Sequence, residues 1–283
     1  MRWSPGNRGS IEDRRGAVGL RGGASLGVGG LLVLIVLSWA TGTDLLSLLG
    51  GGMPIDSSPS AGPPSDASPA EERAVDFVGA VANDTQETWQ RLLGSRYQQT
   101  HVVLFRDVVQ SACGSADAAT GPFYCPGDNK VYLDLGFFDE LDRRFGAPGD
   151  FAQAYVIAHE FGHHVQNLLG TSERVARDRR SGANSTSVAL ELQADCYAGV
   201  WGHQASQGGR FQAGKVELEP GDTEEALRAA AAIGDDRLQR MSTGRVAPDR
   251  FTHGTSAQRV EWFRRGMATG DPAQCDAFRE LTQ

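Results

Sequence analysis

His159, Glu160 and His163 form one HExxH within Ala158-His159-Glu160-Phe161-Gly162-His163-His164-Val165-Gln166. On a helix, residues four apart share a face, so the two imidazoles point the same way. At that spacing they can hold one Zn²⁺, and Glu160 beside them can take a proton from an attacking water. A zinc hydrolase needs a third protein ligand and an open position. Glu191-Leu192-Gln193-Ala194-Asp195 offers two carboxylates four apart, again on one helical face. Glu191 is the expected third ligand. Asp195 is expected to hydrogen-bond the outer nitrogen of a ligand histidine and fix its tautomer. The flanking residues Val188, Leu192, Tyr197, Val200 and Trp201 are apolar. Carboxylates in such a setting are costly to bury without a partner, and a metal site is such a partner. The bland alternatives are a buried helix with hydrogen-bonded histidines and a solvated polar stripe. His164 lies about 100° around the helix from His163, so it is expected to pack or hydrogen-bond. His203 is a weaker candidate ligand, and His101 reads as structural or exposed.

These residues need elements to position them. Residues 151–169 carry an apolar stripe of Ala154, Tyr155, Ile157, Ala158, Phe161 and Val165, which predicts a helix. Asp150 is its expected N-cap and Gly170 its stop. The second carrier is a helix over 188–204, preceded by a polar loop over 178–187. Further helices are predicted over 71–93, from Phe137 to a stop at 146–149, over 223–241 and over 255–267. Residues 102–106 suit a strand. Residues 121–124 and 130–134 flank Pro126-Gly127-Asp128-Asn129, which is turn chemistry, so they predict a hairpin. The segment from Cys113 to Cys125 reads as a loop. The expected class is α+β, helix-dominated, with a small sheet before the catalytic helix.

The chain has 283 residues and a net charge of −8, which argues against nucleic acid as a partner. Residues 1–22 nevertheless carry Arg2, Arg8, Arg14, Arg15 and Arg21 against Glu12 and Asp13, a local balance of +3. An apolar stretch follows at residues 24–40. Basic residues ahead of it favour a signal-anchor with residues 1–23 as a cytoplasmic tail and the bulk of the chain outside. A cleaved signal peptide is the competing reading. Residues 41–70, rich in Gly, Ser and Pro, read as a linker, so the folded domain is expected over 71–283. Cys113, Cys125, Cys196 and Cys275 lie on the side where disulfides persist. Four cysteines allow three pairings. Cys113 with Cys125 closes a short loop and is the expected pair, leaving Cys196 with Cys275; four free thiols are the alternative.

Taken together, the HExxH run and the stretch 191–201 resemble the bacterial "putative neutral zinc metallopeptidase" family. The resemblance extends to Phe123-Tyr124-Cys125-Pro126-Gly127-Asp128, Tyr132-Leu133-Asp134, Phe137-Phe138-Asp139-Glu140-Leu141 and Thr252-His253-Gly254-Thr255-Ser256-Ala257-Gln258-Arg259. It covers about residues 71–280 and includes the Arg-rich start and single anchor. Members are similar to gluzincins, whose HExxH is followed by Glu-x-x-x-Asp, which supports Glu191 as ligand and Asp195 behind it. The 252–259 run also resembles the Thr-His-Pro…Arg element of membrane-linked gluzincins, with Gly254 in place of the proline. That likeness implies that His253 donates to a developing oxyanion and that Arg259 orients the segment or pairs with a site carboxylate.

The function expected is a membrane-anchored zinc endopeptidase acting outside the cytoplasm on polypeptides. The strand at 131–134 or 102–106 would offer its edge to an extended substrate. The rival readings are a non-catalytic zinc-binding envelope protein and a zinc hydrolase of a non-peptide, cell-wall bond.

Overall fold

The computed structural model describes residues 1–16, 63–176, 182, 184–208 and 212–281. A mixed four-stranded sheet has the order β2 (Ile11–Asp13), β3 (His101–Phe105), β7 (Lys130–Asp134), β6 (Phe123–Cys125). β2, β3 and β7 run parallel, and β6 returns antiparallel along β7. Strand alternation divides the apolar residues between two faces. Val102, Leu104, Val131 and Leu133 enter the main core under the helices; Val103, Phe105 and Tyr132 form a smaller cluster with Val109 and Cys125. That second face is covered by a hairpin, β4 (Val108–Ser111) and β5 (Gly114–Asp117), where a loop was expected. Its tip is tied to β6 by the Cys113–Cys125 disulfide. β3 and β7 are interior strands, so neither expected edge is available. The edges are β2 and β6.

Helix α1 (Pro69–Leu93) starts two residues before the expected position, because Ser68 caps it by accepting the Glu71 N–H and Pro69 suits the first turn. α2 (Gly136–Arg143) is short. α3 (Asp150–Leu168) carries the HExxH, and Gly149 rather than Asp150 occupies its N-cap. After α4 (Thr171–Ala176) comes α5 (Thr186–Ala205), capped by Ser185. β8 (Val216–Glu217) precedes the region expected as one helix over 223–241. That region is two helices, α6 (Asp222–Ala232) and α7 (Asp235–Thr243). The break is at Gly234, where a Cβ would lie 2.3 Å from the Ser256 nitrogen. α8 (Ser256–Thr269) has a capping box between Thr255 and Gln258, and α9 (Ala277–Leu281) ends the description.

α3 runs through the middle, with Phe151, Ala154, Tyr155, Ala158, Phe161 and Val165 buried. α5 lies against it at close range. A Cβ at Gly162, inside the HExxH, would sit 3.0 Å from the Ala194 carbonyl oxygen. α8 approaches α5 more closely still, since a Cβ at Gly266 would fall 1.9 Å from the Cys196 carbonyl oxygen. The Cys196–Cys275 disulfide ties the C-terminal region to α5.

Residues 1–16 correct the expected domain boundary. They are not a tail apart from the domain but strands of it: β1 (Arg2–Trp3) pairs with β8 and β2 with β3. Edge strands of two and three residues are held by partners far along the chain, which no local pattern announces. The apolar stretch 24–40 and the linker residues 41–62 lie outside the described residues. Among the described residues no helix is long and apolar enough to cross a membrane.

Candidate metal centre

Three helices build the site: α3 brings His159, Glu160 and His163, α5 brings Glu191 and Asp195, and α8 brings Arg259. His159 Nε2 lies 3.2 Å from Glu191 Oε2, and His163 Nε2 lies 3.5 Å from Glu191 Oε1. Ligand atoms of these three residues all fall within 4.8 Å of one another. His164 is elsewhere, with Nε2 2.7 Å from the Gln98 carbonyl oxygen and Nδ1 3.1 Å from the Tyr124 hydroxyl. His203 is also apart, 2.9 Å from the Met267 carbonyl oxygen. His101 is exposed at the start of β3.

The outer nitrogens decide what the inner ones can do. His159 Nδ1 is 2.9 Å from Asp195 Oδ1. That carboxylate also receives the Tyr155 hydroxyl, and Arg259 donates to both its oxygens, from Nε and Nη2, each at 2.8 Å. Burial alone would raise the Asp195 carboxyl, but the Arg259 and His159 charges outweigh it and hold it low. An ionised carboxylate can only accept, so His159 Nδ1 carries a proton and Nε2 is the nitrogen that can offer a lone pair to a metal. His163 Nδ1 is 2.9 Å from Gln166 Oε1. The Gln166 amide donates to the Leu190 carbonyl at 2.7 Å and to Gln193 Oε1 at 3.2 Å. Gln193 in turn donates to the Cys275 carbonyl at 2.9 Å. This chain fixes the Gln166 oxygen toward His163, whose Nε2 is likewise left with a lone pair.

Two imidazole lone pairs therefore face a carboxylate in a largely buried setting. Acceptors so placed repel one another unless a cation sits among them. Without a metal a proton takes that place: against burial, Asp195 and Glu191 raise His159 to about 9. The donor set of two imidazole nitrogens and one carboxylate, each imidazole secured from behind, fits a catalytic zinc site of three protein ligands.

The three groups open onto a groove of about 890 Å³, lined also by Glu160, Tyr124 and His253. Its apolar wall includes Phe137, Phe145, Val156, Ile233 and Leu238, and Phe123 brings in the edge strand β6. His253 is half exposed, with Nδ1 3.3 Å from Asp235 Oδ1. Asp235 Oδ2 also accepts the backbone N–H of Thr252, His253 and Gly254. The Asp235 hydrogen bond raises the His253 imidazole.

Sequence reasoning did not single out Tyr155, Gln166 or Asp235. Tyr155 and Gln166 were visible only as helical neighbours, at i−4 from His159 and i+3 from His163, and Asp235 lay hidden in what read as one helix. Arg259 pairs with the Asp195 carboxylate, and its Nη2 also lies 3.3 Å from His159 Nδ1.

Residues 1–278 match the protein family described as "Putative neutral zinc metallopeptidase". The chain is 47% identical over 295 residues to the uncharacterized protein YpfJ of Escherichia coli (strain K12), covering 98% of this chain and 99% of that one. It is 48% identical over 205 residues to the uncharacterized protein Rv2575 of Mycobacterium tuberculosis, covering 71% and 69%. No solved structure matches.

Proposed function

The chain belongs to the "Putative neutral zinc metallopeptidase" family, whose metal is zinc, and from that premise we propose that it is an endopeptidase working on extended polypeptide. In this reading His159, His163 and Glu191 hold the zinc, with Asp195 orienting His159 and Gln166 orienting His163. Zinc bound there supplies a Lewis acid and makes water acidic enough to deprotonate near neutral pH. Glu160 takes the proton of the attacking water and passes it to the leaving amine. His253, held by Asp235 at Nδ1, offers its other ring nitrogen to the oxygen on which negative charge develops. The substrate lies in the groove along the edge of β6, where backbone pairing gives affinity and the apolar wall selects side chains. The domain works in an oxidising compartment, where its two disulfides persist, with residues 24–40 as its membrane attachment.

The observation that carries this reading is the pair of imidazole Nε2 atoms facing Glu191, with Glu160 on the adjoining groove wall. The test is zinc content and casein cleavage of the parent and of Glu160→Gln. Both proteins should hold one zinc per chain, and the variant should lose at least about 100-fold in rate. A variant that cleaves as well as the parent removes Glu160 from the mechanism. Parent protein that binds no zinc removes the mechanism altogether.

A further inference from the structure

The N-terminal arginines have partners that their sequence pattern does not reveal. Arg2 lies 2.9 Å from Glu217 on β8. Arg8 reaches Glu72 at 2.7 Å and Asp76 at 2.6 Å on α1. Arg14 pairs with Glu12 at 2.8 Å. The Arg15 side chain is fully buried, 2.6 Å from Asp13, 3.1 Å from Glu71 and 2.7 Å from Glu72. Four of the five arginines ahead of the apolar stretch are thus ion-paired within the domain or its own strand.

Backbone and packing hold the same segment independently of charge. Val102 N donates to the Ser10 carbonyl and Arg14 N to the Leu104 carbonyl, both at 2.8 Å. Trp3 stands edge-on to Phe77 with ring centroids 5.4 Å apart. Gly6 passes so close to Gly214 that a Cβ would lie 2.8 Å from the Gly214 Cα. The chain end at Arg15 and the chain start at α1 meet through Arg15 and Glu72, so the segment between them leaves and returns at one place.

Strand pairing and ion pairs form only between groups in one compartment, because a hydrocarbon core about 30 Å thick separates the two faces of a membrane. A single crossing within residues 17–62 would put residues 1–16 and the domain on opposite faces. We propose that residues 1–16 share the compartment of the catalytic domain, so that the chain meets its membrane from one side only and never as a single-pass signal-anchor. The arginines are structural partners of the domain here, not a marker of a cytoplasmic tail. This inference is independent of the metal site and of the peptidase reading.

The test uses the full-length chain in its membrane. Arg2 and Glu217 are directly paired across antiparallel strands, within the Cα separation a disulfide can bridge. The Arg2 side chain is about half exposed, so an Arg2→Cys, Glu217→Cys pair replaces a surface contact. With a specific protease site placed in residues 41–62, the cut N-terminal fragment should stay attached to its own domain until a reductant releases it. A fragment that separates without reductant overturns the proposal. A second arm needs no cross-link. Arg2→Cys and, separately, Arg279→Cys are exposed to a membrane-impermeant maleimide in intact cells. The proposal requires equal labelling before permeabilisation, or equal protection lost together on permeabilisation. Labelling of one and protection of the other puts the two ends on opposite faces and overturns it.

Discussion

Asp195 and Glu72 each receive a guanidinium, at 2.8 Å from Arg259 and 2.7 Å from Arg15, yet the two ion pairs do different work. The Asp195–Arg259 pair lies where α3, α5 and α8 converge, with both side chains almost wholly out of water. Its carboxylate oxygens are filled by Arg259, Tyr155 and His159. Glu72 is about one-third exposed, and its other neighbour, Arg8, is more exposed still. Charges in the first region cannot fall back on solvent when a partner is removed; the carboxylates of the second can. The first region therefore orients a histidine within a fixed lattice. The second fastens a segment whose short strands need many modest contacts.

The comparison is broken most sharply at Arg259. Arg259→Leu should destabilise the fold by about 3–5 kcal/mol, because the Asp195 carboxylate stays buried without its counter-charge. Denaturant melts of metal-free protein measure this. A cost within about 1 kcal/mol, the range of an exposed pair, would erase the distinction between the regions.

Gln166→Ala removes the acceptor behind His163 and leaves the Asp195 cluster intact. Zinc affinity should fall by about 10-fold to 100-fold, read by competition with a chelating dye, with a smaller loss of stability than at Arg259. Unchanged affinity would mean that the His163 ring needs no support from behind.

At the N-terminal strands, Arg8→Ala should cost no more than about 1 kcal/mol and leave zinc affinity as it was. Loss of zinc in this variant would show that the two regions are coupled.

Acidity should also loosen the N-terminal region, through three of its paired carboxyls. Burial works to raise Glu12 and Glu71, but Lys130 and Arg14, and Arg106 and Arg15, outweigh it; for Glu72 the Arg15 and Arg8 hydrogen bonds dominate. All three carboxyls are lowered from an ordinary value of 4.5. A depressed folded-state pKa contributes stability that is complete above the unfolded value and lost as pH falls through the folded one. Hydrogen exchange of the β2 amides, corrected for its intrinsic pH dependence, should thus stay constant from neutral pH down to that range and quicken only below it. Loosening already near neutrality would contradict the assignment of these pairs as the fastening.

Much of the centre was legible before any coordinates. HExxH and Glu-x-x-x-Asp are separations of four, and a helix turns every four-residue separation into a shared face. His159 with His163, and Glu191 with Asp195, could therefore be grouped from spacing and apolar context. The same local geometry supports α1, α3, α5 and α8. Where local geometry was silent, the reading went astray. Residues 223–241 looked like one helix because the need for a break at Gly234 comes from Ser256, in another element. Strands β3 and β7 were recognised, but which strands are edges depends on pairing order, and that order left β2 and β6 outermost. The contacts of the basic start were not legible either, because partners at 71, 72, 76 and 217 lie far along the chain.

What the amino-acid sequence determined by itself was the grouping of His159 with His163 and of Glu191 with Asp195, and the helices that carry them, since both rest on interactions a few residues apart. Only the tertiary structure decided that Gln166 and Asp195 leave two imidazole lone pairs facing Glu191, that Arg259 neutralises Asp195, and that residues 1–16 belong to the domain. Each of these is a contact between segments whose meeting is fixed by the packing of the whole core, and no local periodicity encodes it.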